Sequence, residues 1–239
     1  MDLSNFFQNK DCQKVLEILN HKNETSRIVG GYVRNYLRNI ETKDIDIATK
    51  LIPDEVINLL SKAGIKTVPT GLSHGTISAF INDQTFEITT LRKDINYDGR
   101  HADIEFTDDW AVDASRRDFT INAIYMNSDG DIYDPFDGIS DLNRGTVKFI
   151  GDPEKRIKED YLRILRYYRF LSFYDSSVDN ETRRLIKKNA NSIVNLSSER
   201  IHTEFFKILD NDNSGKIINF MEEDGILELI FSQIGRAHV

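Results

Sequence analysis

Two stretches of the sequence decide the fold, RIVGGYVRNYL at residues 27–37 and KDIDIAT at residues 43–49. In the first, residues 27–29 read as a short strand, Gly30 and Gly31 interrupt it, and the spacing of Val33 and Leu37 predicts a helix. The second stretch alternates polar and apolar residues, which is typical of a strand. A strand, a glycine turn, a helix and a second strand in quick succession predict a fold that mixes strands and helices.

Asp44 and Asp46 are the strongest chemical signal in these stretches. Residues i and i+2 of a strand point to the same side, so both carboxylates converge on one spot while Ile45 and Ile47 point into the core. Two like charges at one spot favour a divalent cation, and hard oxygen ligands favour Mg²⁺. An isolated Asp-x-Asp is more often a solvated strand face, so the prediction of a metal site depends on its neighbours.

The glycine pair upstream strengthens that prediction. Gly30 and Gly31 lie at the start of the predicted helix, where backbone N–H groups and the helix dipole favour a phosphate. Arg34, one turn into the helix, can add a charge-assisted contact. A phosphate-binding turn before a metal-binding pair indicates nucleotide chemistry. Glu87, on a strand predicted at residues 85–91, is either a third carboxylate of the same site or a surface residue.

Composition narrows the class of protein. The 239 residues include 31 basic and 39 acidic side chains, a net charge of −8, which argues against a nucleic-acid binder that is cationic over its whole surface. Cys12 is the single cysteine, so an internal disulfide is excluded and a reducing compartment fits. The sequence holds no apolar run of the roughly 18 residues that a membrane span needs, and residues 1–10 do not resemble a secretory signal. We therefore expect a soluble, cytoplasmic globular protein that does not bind membranes.

The pattern changes near residue 150. Strand and helix signals alternate before it, and helical patterns dominate after it, at residues 155–174, 180–189, 198–209 and 216–220. Residues 151–207 also carry a small net positive charge, although the whole chain is acidic. This predicts one domain at residues 1–150 and a helical one at residues 151–233. Residues 234–239 break the helical pattern, and we expect them to be a non-native tail.

Five ordered motifs resemble those of the class II tRNA nucleotidyltransferase and bacterial poly(A) polymerase superfamily. The glycine turn and KDIDIAT resemble its motif A. HGT at 74–76 with EITTLR at 87–92 resembles the next strand pair, and RRDFTINA at 116–123 is similar to motif B. DPFDG at 134–138 follows as it does in the family, and EDYLRILRYYRF at 159–170 resembles the nucleotide-selecting motif of the neck.

The resemblance implies an α+β (α/β) nucleotidyltransferase head with a mixed sheet of the polymerase-β type, followed by an all-helical neck and body. It also implies two-metal nucleotidyl transfer, with Asp44 and Asp46 as catalytic ligands of Mg²⁺ and Glu87 as a third catalytic carboxylate. Asp118 and Asn122 would read the ribose or brace the loop. The residues that would bind the nucleotide are Gly31, Arg34, Arg117, Asp160, Arg163, Arg166 and Arg169.

Asp160 and Arg163 lie three residues apart in the neck motif, so we expect them to lie together on one helix face. A carboxylate beside a guanidinium can accept from the amino group of C or A and donate to the ring acceptors of the same base. An ordinary salt bridge is the alternative interpretation, and the other motifs favour base recognition. Two positions depart from the family pattern. Asn35 stands where the family usually has Asp, and Asn39 stands where a Gly often ends the helix.

GLSHGT at 71–76 and the loop at 97–106 favour the CCA-adding branch of the superfamily. The predicted function is therefore the addition of CCA to the 3′ end of tRNA from CTP and ATP, with release of pyrophosphate. A poly(A) polymerase or A-adding enzyme of the same superfamily is one alternative. A non-catalytic RNA-binding protein is another. Because family members continue well beyond residue 239, a truncated fragment that cannot hold tRNA is a third.

Overall fold

The computed structural model describes residues 9–97, 102–174 and 178–236. The described residues divide into two compact units, one of residues 9–96 and 102–139 and the other of residues 97, 140–174 and 178–236. The predicted domain boundary near residue 150 stays a prediction. Residues 98–101 of the predicted loop motif and residues 237–239 of the predicted tail lie outside the described residues.

The first unit contains the strands. They are β1 Ser26–Val29, β2 Ile45–Thr49, β3 Lys66–Gly71, β4 Thr76–Ile81, β5 Gln84–Thr90, β6 Arg92–Tyr97, β7 Ala102–Phe106, β8 Tyr125–Met126 and β9 Ile132–Tyr133. Seven of them form one sheet in the order β3-β4-β5-β2-β1-β8-β9, and β6 pairs with β7. Strands β2 and β5 run parallel, whereas the neighbouring pairs run antiparallel. The sheet is therefore mixed, which confirms the predicted fold class.

Helices cover one face of this sheet. The helices of this part of the chain are α1 Lys10–Leu19, α2 Gly31–Leu37, α3 Pro53–Lys62 and α4 Trp110–Ser115. Helix α5 Gly138–Asn143 begins in the first unit and ends in the second. Leu16, Val33 and Leu60 from the first three pack with Ile47 and Ile88 of the sheet in one buried cluster. Because side chains alternate along a strand, Asp46 and Glu87 point to the opposite face.

The second unit is helical, as predicted. Its helices are α6 Pro153–Glu159, α7 Leu162–Leu171, α8 Asn180–Asn189, α9 Ser198–Leu209, α10 Ser214–Glu223 and α11 Ile226–Arg236. The prediction of one continuous helix at residues 155–174 is wrong. Asp160 has an extended backbone (φ −152°, ψ 108°) and its side chain accepts from the N–H of Leu162, so the chain ends one helix and starts another there. Among the described residues, no helix is both long and apolar enough to cross a membrane.

Asp224 joins three elements of the helical unit. Its buried carboxylate accepts from Tyr168 at 2.7 Å and from Arg183 Nε at 2.7 Å, and it forms an ion pair with Lys187 at 2.9 Å. Burial raises the pKa of this carboxyl group, but hydrogen bonds from Arg183, Tyr168 and Lys187 more than offset that effect, so the pKa falls below its usual value. The ionised carboxylate therefore stabilises the unit at neutral pH, and its contribution is lost as the pH falls through that lowered pKa.

We expect Asp224→Ala to lower the free energy of unfolding by about 1–3 kcal/mol, because it leaves the buried hydroxyl of Tyr168 without its acceptor. Urea denaturation followed by circular dichroism measures the change. Glu181→Ala is the control, since it removes only the exposed pair with Arg184 and exposed pairs contribute about 1 kcal/mol or less. Equal small losses in both variants would contradict the assigned role of Asp224.

Candidate active site

The register of the sheet brings two carboxylates side by side. Asp46 of β2 pairs with Glu87 of β5 in the parallel ladder, and it pairs with Val29 of β1 on its other side. Paired residues on adjacent strands point to the same face of a sheet. Asp44 lies immediately before β2, and all three carboxylate residues are exposed. The structure therefore groups the predicted catalytic residues at the face that the helices α1–α3 leave uncovered.

The charges of these residues act on one another. Desolvation by the surrounding protein raises the pKa of Asp46, the charges of Glu87 and Asp44 raise it further, and Arg117 lowers it. Neighbouring carboxylates that disfavour each other's ionisation, with hard oxygen donors, fit a divalent cation. Among the described residues, no three His, Cys, Asp or Glu side chains are placed so that all of them could bind one metal ion. That fits Mg²⁺, which is usually bound by one or two carboxylates together with waters and substrate phosphates.

The glycine turn is built on a conformation that only glycine adopts readily. Gly30 has φ +73° and ψ −124°, and its N–H donates to the carbonyl of Ile124 at 3.2 Å. A Cβ at this position would lie 3.6 Å from Arg117 Nη1 and 3.6 Å from the carbonyl oxygen of Asn122. Helix α2 begins at the next residue, Gly31. The turn of motif A therefore lies against residues of motif B.

Arg34 is buried and held by two amides. Its Nη1 donates to Asn122 Oδ1 at 2.5 Å, and its Nη2 donates to Asn35 Oδ1 at 3.1 Å. The amide oxygen of Asn35 thus supplies the acceptor that orients Arg34, even though the family usually has Asp there. Asn122 in turn donates to Asp118 Oδ1 at 3.0 Å. Asn39 has φ +56° after the helix, which is the left-handed conformation expected of the residue that replaces glycine.

Arg117 contacts two residues that the sequence interpretation missed. It donates from Nη2 to Asp113 Oδ2 at 3.2 Å and from Nε to the hydroxyl of Tyr125 at 3.2 Å. Asp113 also accepts from Arg116 Nε at 2.8 Å. The signal in the sequence was the spacing, because an aspartate three and four residues before an arginine pair lies on the same helical face.

In the neck motif the side chains of Asp160 and Arg163 have different partners, although the N–H of Arg163 donates to the carbonyl of Asp160 at 3.0 Å. Arg163 Nη1 donates to Glu159 Oε2 at 2.7 Å and to the carbonyl of Arg156 at 2.8 Å. Asp160 Oδ2 accepts instead from Arg200 Nη2 at 2.8 Å. The expectation that the two residues share a helix face is wrong, because the chain breaks at Asp160. Their role in base recognition stays a prediction.

Arg166 and Arg169 share one partner. Glu204 of α9 is nearly buried and lies 3.7 Å from Arg166 Nη1 and 3.2 Å from Arg169 Nε. The carboxylate therefore forms ion pairs with both guanidinium groups of α7. The sequence could not reveal this pairing, because Glu204 is 35 residues from Arg169 along the chain.

From the predicted role of the glycine turn in phosphate binding, we expect Gly30→Ala to lower the affinity for nucleotide by about tenfold. We expect the free energy of unfolding to fall by about 1–3 kcal/mol, because alanine is strained at this φ and ψ. Equilibrium binding of CTP and thermal unfolding measure the two effects. Gly64→Ala is the control, since Gly64 has φ +73° and nothing within 4 Å of its added Cβ. It should reduce stability without changing affinity. Equal affinity losses in both variants would show that strain alone is responsible.

Comparison with known protein families gives two matches. Residues 26–148 match the family described as "Poly A polymerase head domain". Residues 177–237 match the family described as "Probable RNA and SrmB- binding site of polymerase A". The first match contains the glycine turn, the three carboxylates and Arg117.

Named relatives are similar over most of this chain. It is 40% identical over 218 residues to the mouse "CCA tRNA nucleotidyltransferase 1, mitochondrial", covering 90% of this chain and 50% of the relative. It is 42% identical over 213 residues to the human protein of the same name, covering 87% and 49%. The "CCA-adding enzyme" of Ligilactobacillus salivarius is 39% identical over 206 residues, covering 85% and 50%. The chain therefore spans about half the length of the curated relatives it matches.

Two solved structures are similar to this chain in fold. The Bacillus stearothermophilus CCA-adding enzyme in complex with CTP has a TM-score of 0.81 and 31% identity, covering 91% of this chain and 52% of that one. A tRNA nucleotidyltransferase complexed with a primer tRNA and an incoming ATP analog has a TM-score of 0.73 and 27% identity, covering 86% and 59%. With a head-domain match over more than half of its residues, the chain belongs to the tRNA nucleotidyltransferase and poly(A) polymerase superfamily.

Proposed function

We propose that the protein is a tRNA nucleotidyltransferase that adds CCA to the 3′ end of tRNA from CTP and ATP and releases pyrophosphate. The observation that carries the proposal is the pairing of Asp46 with Glu87 on one sheet face, with Asp44 beside them and Arg117 close enough to lower the pKa of Asp46. The names of the similar proteins support the choice of CCA addition within the superfamily.

Nucleotidyltransferases of this family generally use a divalent metal ion, and we propose Mg²⁺, with Asp44 and Asp46 as its ligands. When bound, Mg²⁺ supplies positive charge that acidifies the attacking 3′-hydroxyl and neutralises the triphosphate. The two carboxylates lie on the open face of the sheet, where solvent reaches them and where the substrate would reach them. Glu87, one strand away, adds negative charge that strengthens cation binding at Asp46.

The glycine turn and its arginines bind the triphosphate in this account. The N–H of Gly31 lies at the first position of α2, and N–H groups at the start of a helix have no partner within the helix. Arg34 is fixed by Asn35 and Asn122, so its guanidinium is already oriented before the nucleotide arrives. A preorganised guanidinium stabilises developing charge at little further cost.

Nucleotide choice is the role that we assign to the neck. Asp160 is held by Arg200 and Arg163 by Glu159, so each group has a fixed orientation. A carboxylate accepts from the amino group that C and A share, and a guanidinium donates to their ring acceptors. Arg166 and Arg169, both held by Glu204, would contact phosphate or RNA. In this proposal residues 1–150 catalyse the reaction, and residues 151–233 select the nucleotide and bind RNA. The proposed location of the protein is the cytoplasm.

Primer extension tests the proposal. A tRNA transcript without its CCA end is incubated with the protein, Mg²⁺ and each labelled nucleotide alone, or with CTP and ATP together. We expect CTP alone to add CC, CTP with ATP to complete CCA, and GTP and UTP to add nothing. Long tails from ATP alone would establish a poly(A) polymerase instead. Preserved Mg²⁺-dependent CTP binding without extension would indicate that this chain does not retain tRNA.

A further inference from the structure

We propose that Asp113, together with Tyr125, is a positioning residue that fixes the guanidinium of Arg117 beside the glycine turn for binding of the nucleotide triphosphate. The inference rests on the proposed function and deepens it. Neither Asp113 nor Tyr125 belongs to the sequence motifs that indicated the site. Both were found only because the structure places them against Arg117.

Asp113 is a buried carboxylate between two guanidinium groups. Its side chain is 1% exposed. Oδ2 accepts from the hydroxyl of Tyr125 at 2.8 Å and from Arg117 Nη2 at 3.2 Å, and Oδ1 accepts from Arg116 Nε at 2.8 Å. Oδ1 also accepts from the backbone N–H of Arg92 at 3.3 Å. So many partners leave this carboxylate no freedom to rotate.

Tyr125 holds a second nitrogen on the same edge of Arg117. The tyrosine is fully buried in β8, where it pairs with Val29. Its hydroxyl accepts from Arg117 Nε at 3.2 Å while it donates to Asp113. The guanidinium carbon of Arg117 lies 5.3 Å from the centre of the tyrosine ring, and the ring of Trp110 packs edge-on against it at 5.5 Å. Arg117 is therefore held by hydrogen bonds and by contact with the buried ring of Tyr125.

The geometry assigns a direction to the guanidinium. Asp113 and Tyr125 engage Nη2 and Nε, on one side of the group. Nη1, on the other side, is the atom 3.6 Å from the position that a Cβ of Gly30 would occupy. Gly30 directly follows Val29, which pairs with Asp46 in the sheet. The two anchors thus direct Arg117 toward the turn and the catalytic carboxylates, which is where a triphosphate bound to a metal ion would lie.

The ionisation states support the same geometry. Burial raises the pKa of Asp113, but the charges of Arg117 and Arg116 and the hydrogen bonds from Tyr125 and Arg116 more than offset this effect and lower it to about 2. Burial raises the pKa of Tyr125, so its hydroxyl keeps its proton and donates. The arrangement therefore persists throughout the pH range in which the enzyme would work.

A double-mutant cycle on CTP affinity tests the inference. Asp113→Asn, Arg117→Ala and the double variant are titrated with CTP and Mg²⁺ by calorimetry. We expect Asp113→Asn to weaken CTP binding by about tenfold, the scale of one charge-assisted hydrogen bond, and the double variant to bind no more weakly than Arg117→Ala alone. That non-additivity is the mark of a residue that acts through Arg117, because independent effects would add. Tyr125→Phe removes only a hydroxyl and should weaken binding by about threefold.

Two controls separate positioning from folding. Asp141→Asn removes another buried aspartate that pairs with an arginine, Arg144, and should lower the melting temperature without changing CTP affinity. If Asp113→Asn does not fold, Tyr125→Phe in the presence and absence of Arg117 completes the cycle. Unchanged CTP affinity in Asp113→Asn and Tyr125→Phe would overturn the inference. So would an equal loss from Asp113→Asn in the two Arg117 backgrounds.

The primer-extension assay, run in parallel on the unaltered protein, keeps the two claims distinct. Coupled CTP binding together with long tails from ATP alone would overturn the proposed function and leave the positioning role in place. Extension of the tRNA by CCA, with additive losses of CTP affinity in the cycle, would support the proposed function and overturn the positioning role. An unaltered protein that binds no CTP would overturn both.

Discussion

Asp46→Asn is expected to reduce nucleotide incorporation by about a thousandfold or more. The carboxylate is one of the two proposed metal ligands, and a metal ion contributes several kcal/mol to transition-state stabilisation. Each 1.36 kcal/mol corresponds to a factor of ten in rate. Asparagine keeps the shape of the side chain and removes its charge, so the loss reports on charge at this spot on the sheet. Incorporation of labelled CTP into tRNA measures it.

The same substitution should leave the fold intact or make it more stable. The folded-state pKa of Asp46 is raised, so its ionised form opposes folding, and this cost appears as the pH rises above the unfolded-state value of 3.8. Replacing the carboxylate with an amide removes its repulsion with Glu87 and Asp44. We therefore expect a melting temperature equal to or above that of the unaltered protein at neutral pH.

Asp83→Asn is the matched control for Asp46→Asn. Asp83 is an exposed aspartate in the turn between β4 and β5, and its loss changes the net charge by the same amount. It should leave incorporation unchanged. An active Asp46→Asn variant, or equal losses in both variants, would contradict the assignment of Asp46 as a metal ligand.

Arg163→Lys is expected to reduce the discrimination of CTP and ATP against UTP and GTP by about a hundredfold. Lysine keeps the positive charge but loses the planar fork that can donate to a base and to Glu159 together. A site built to form hydrogen bonds with substrate groups loses much of its selectivity when one of those bonds cannot form. The ratio of kcat/KM values for the four nucleotides measures the effect.

Arg184→Lys provides the comparison for Arg163→Lys. Arg184 lies on α8, is exposed and pairs with the exposed Glu181, so the change should not alter nucleotide choice. Discrimination that survives Arg163→Lys would show that Arg163 is a structural partner of Glu159 and that base recognition lies elsewhere.

Much of the head could be predicted from the sequence because its signals are local. The alternation of KDIDIAT fixes which side chains face the core, and the parallel pairing of β2 with β5 then brings Asp46 and Glu87 together. The glycine turn depends on the backbone conformation of one residue, Gly30. The alternation of KDIDIAT and the glycine turn can both be deduced from neighbouring residues, and the structure has both.

The neck could not be predicted in the same way. The side chain of Asp160 accepts from the N–H of Leu162, the first residue of the next helix. A charged residue in a helical pattern gives no sign that one helix will end there and another will start. Because the helix ends at Asp160, Arg163 donates to Glu159 and Asp160 accepts from Arg200. The partners of Arg117 were missed for a related reason. Tyr125 reads as an apolar strand residue, and only the folded sheet brings its hydroxyl to Asp113.

Sequencing of the tRNA 3′ ends after a reaction with all four nucleotides present tests the central claim most directly. The substrate is a tRNA transcript that ends at the nucleotide before CCA, and the reaction contains Mg²⁺. The account predicts products that end in CCA and stop there, with no U or G at any added position. Products that end in A tails or in mixed nucleotides would contradict it.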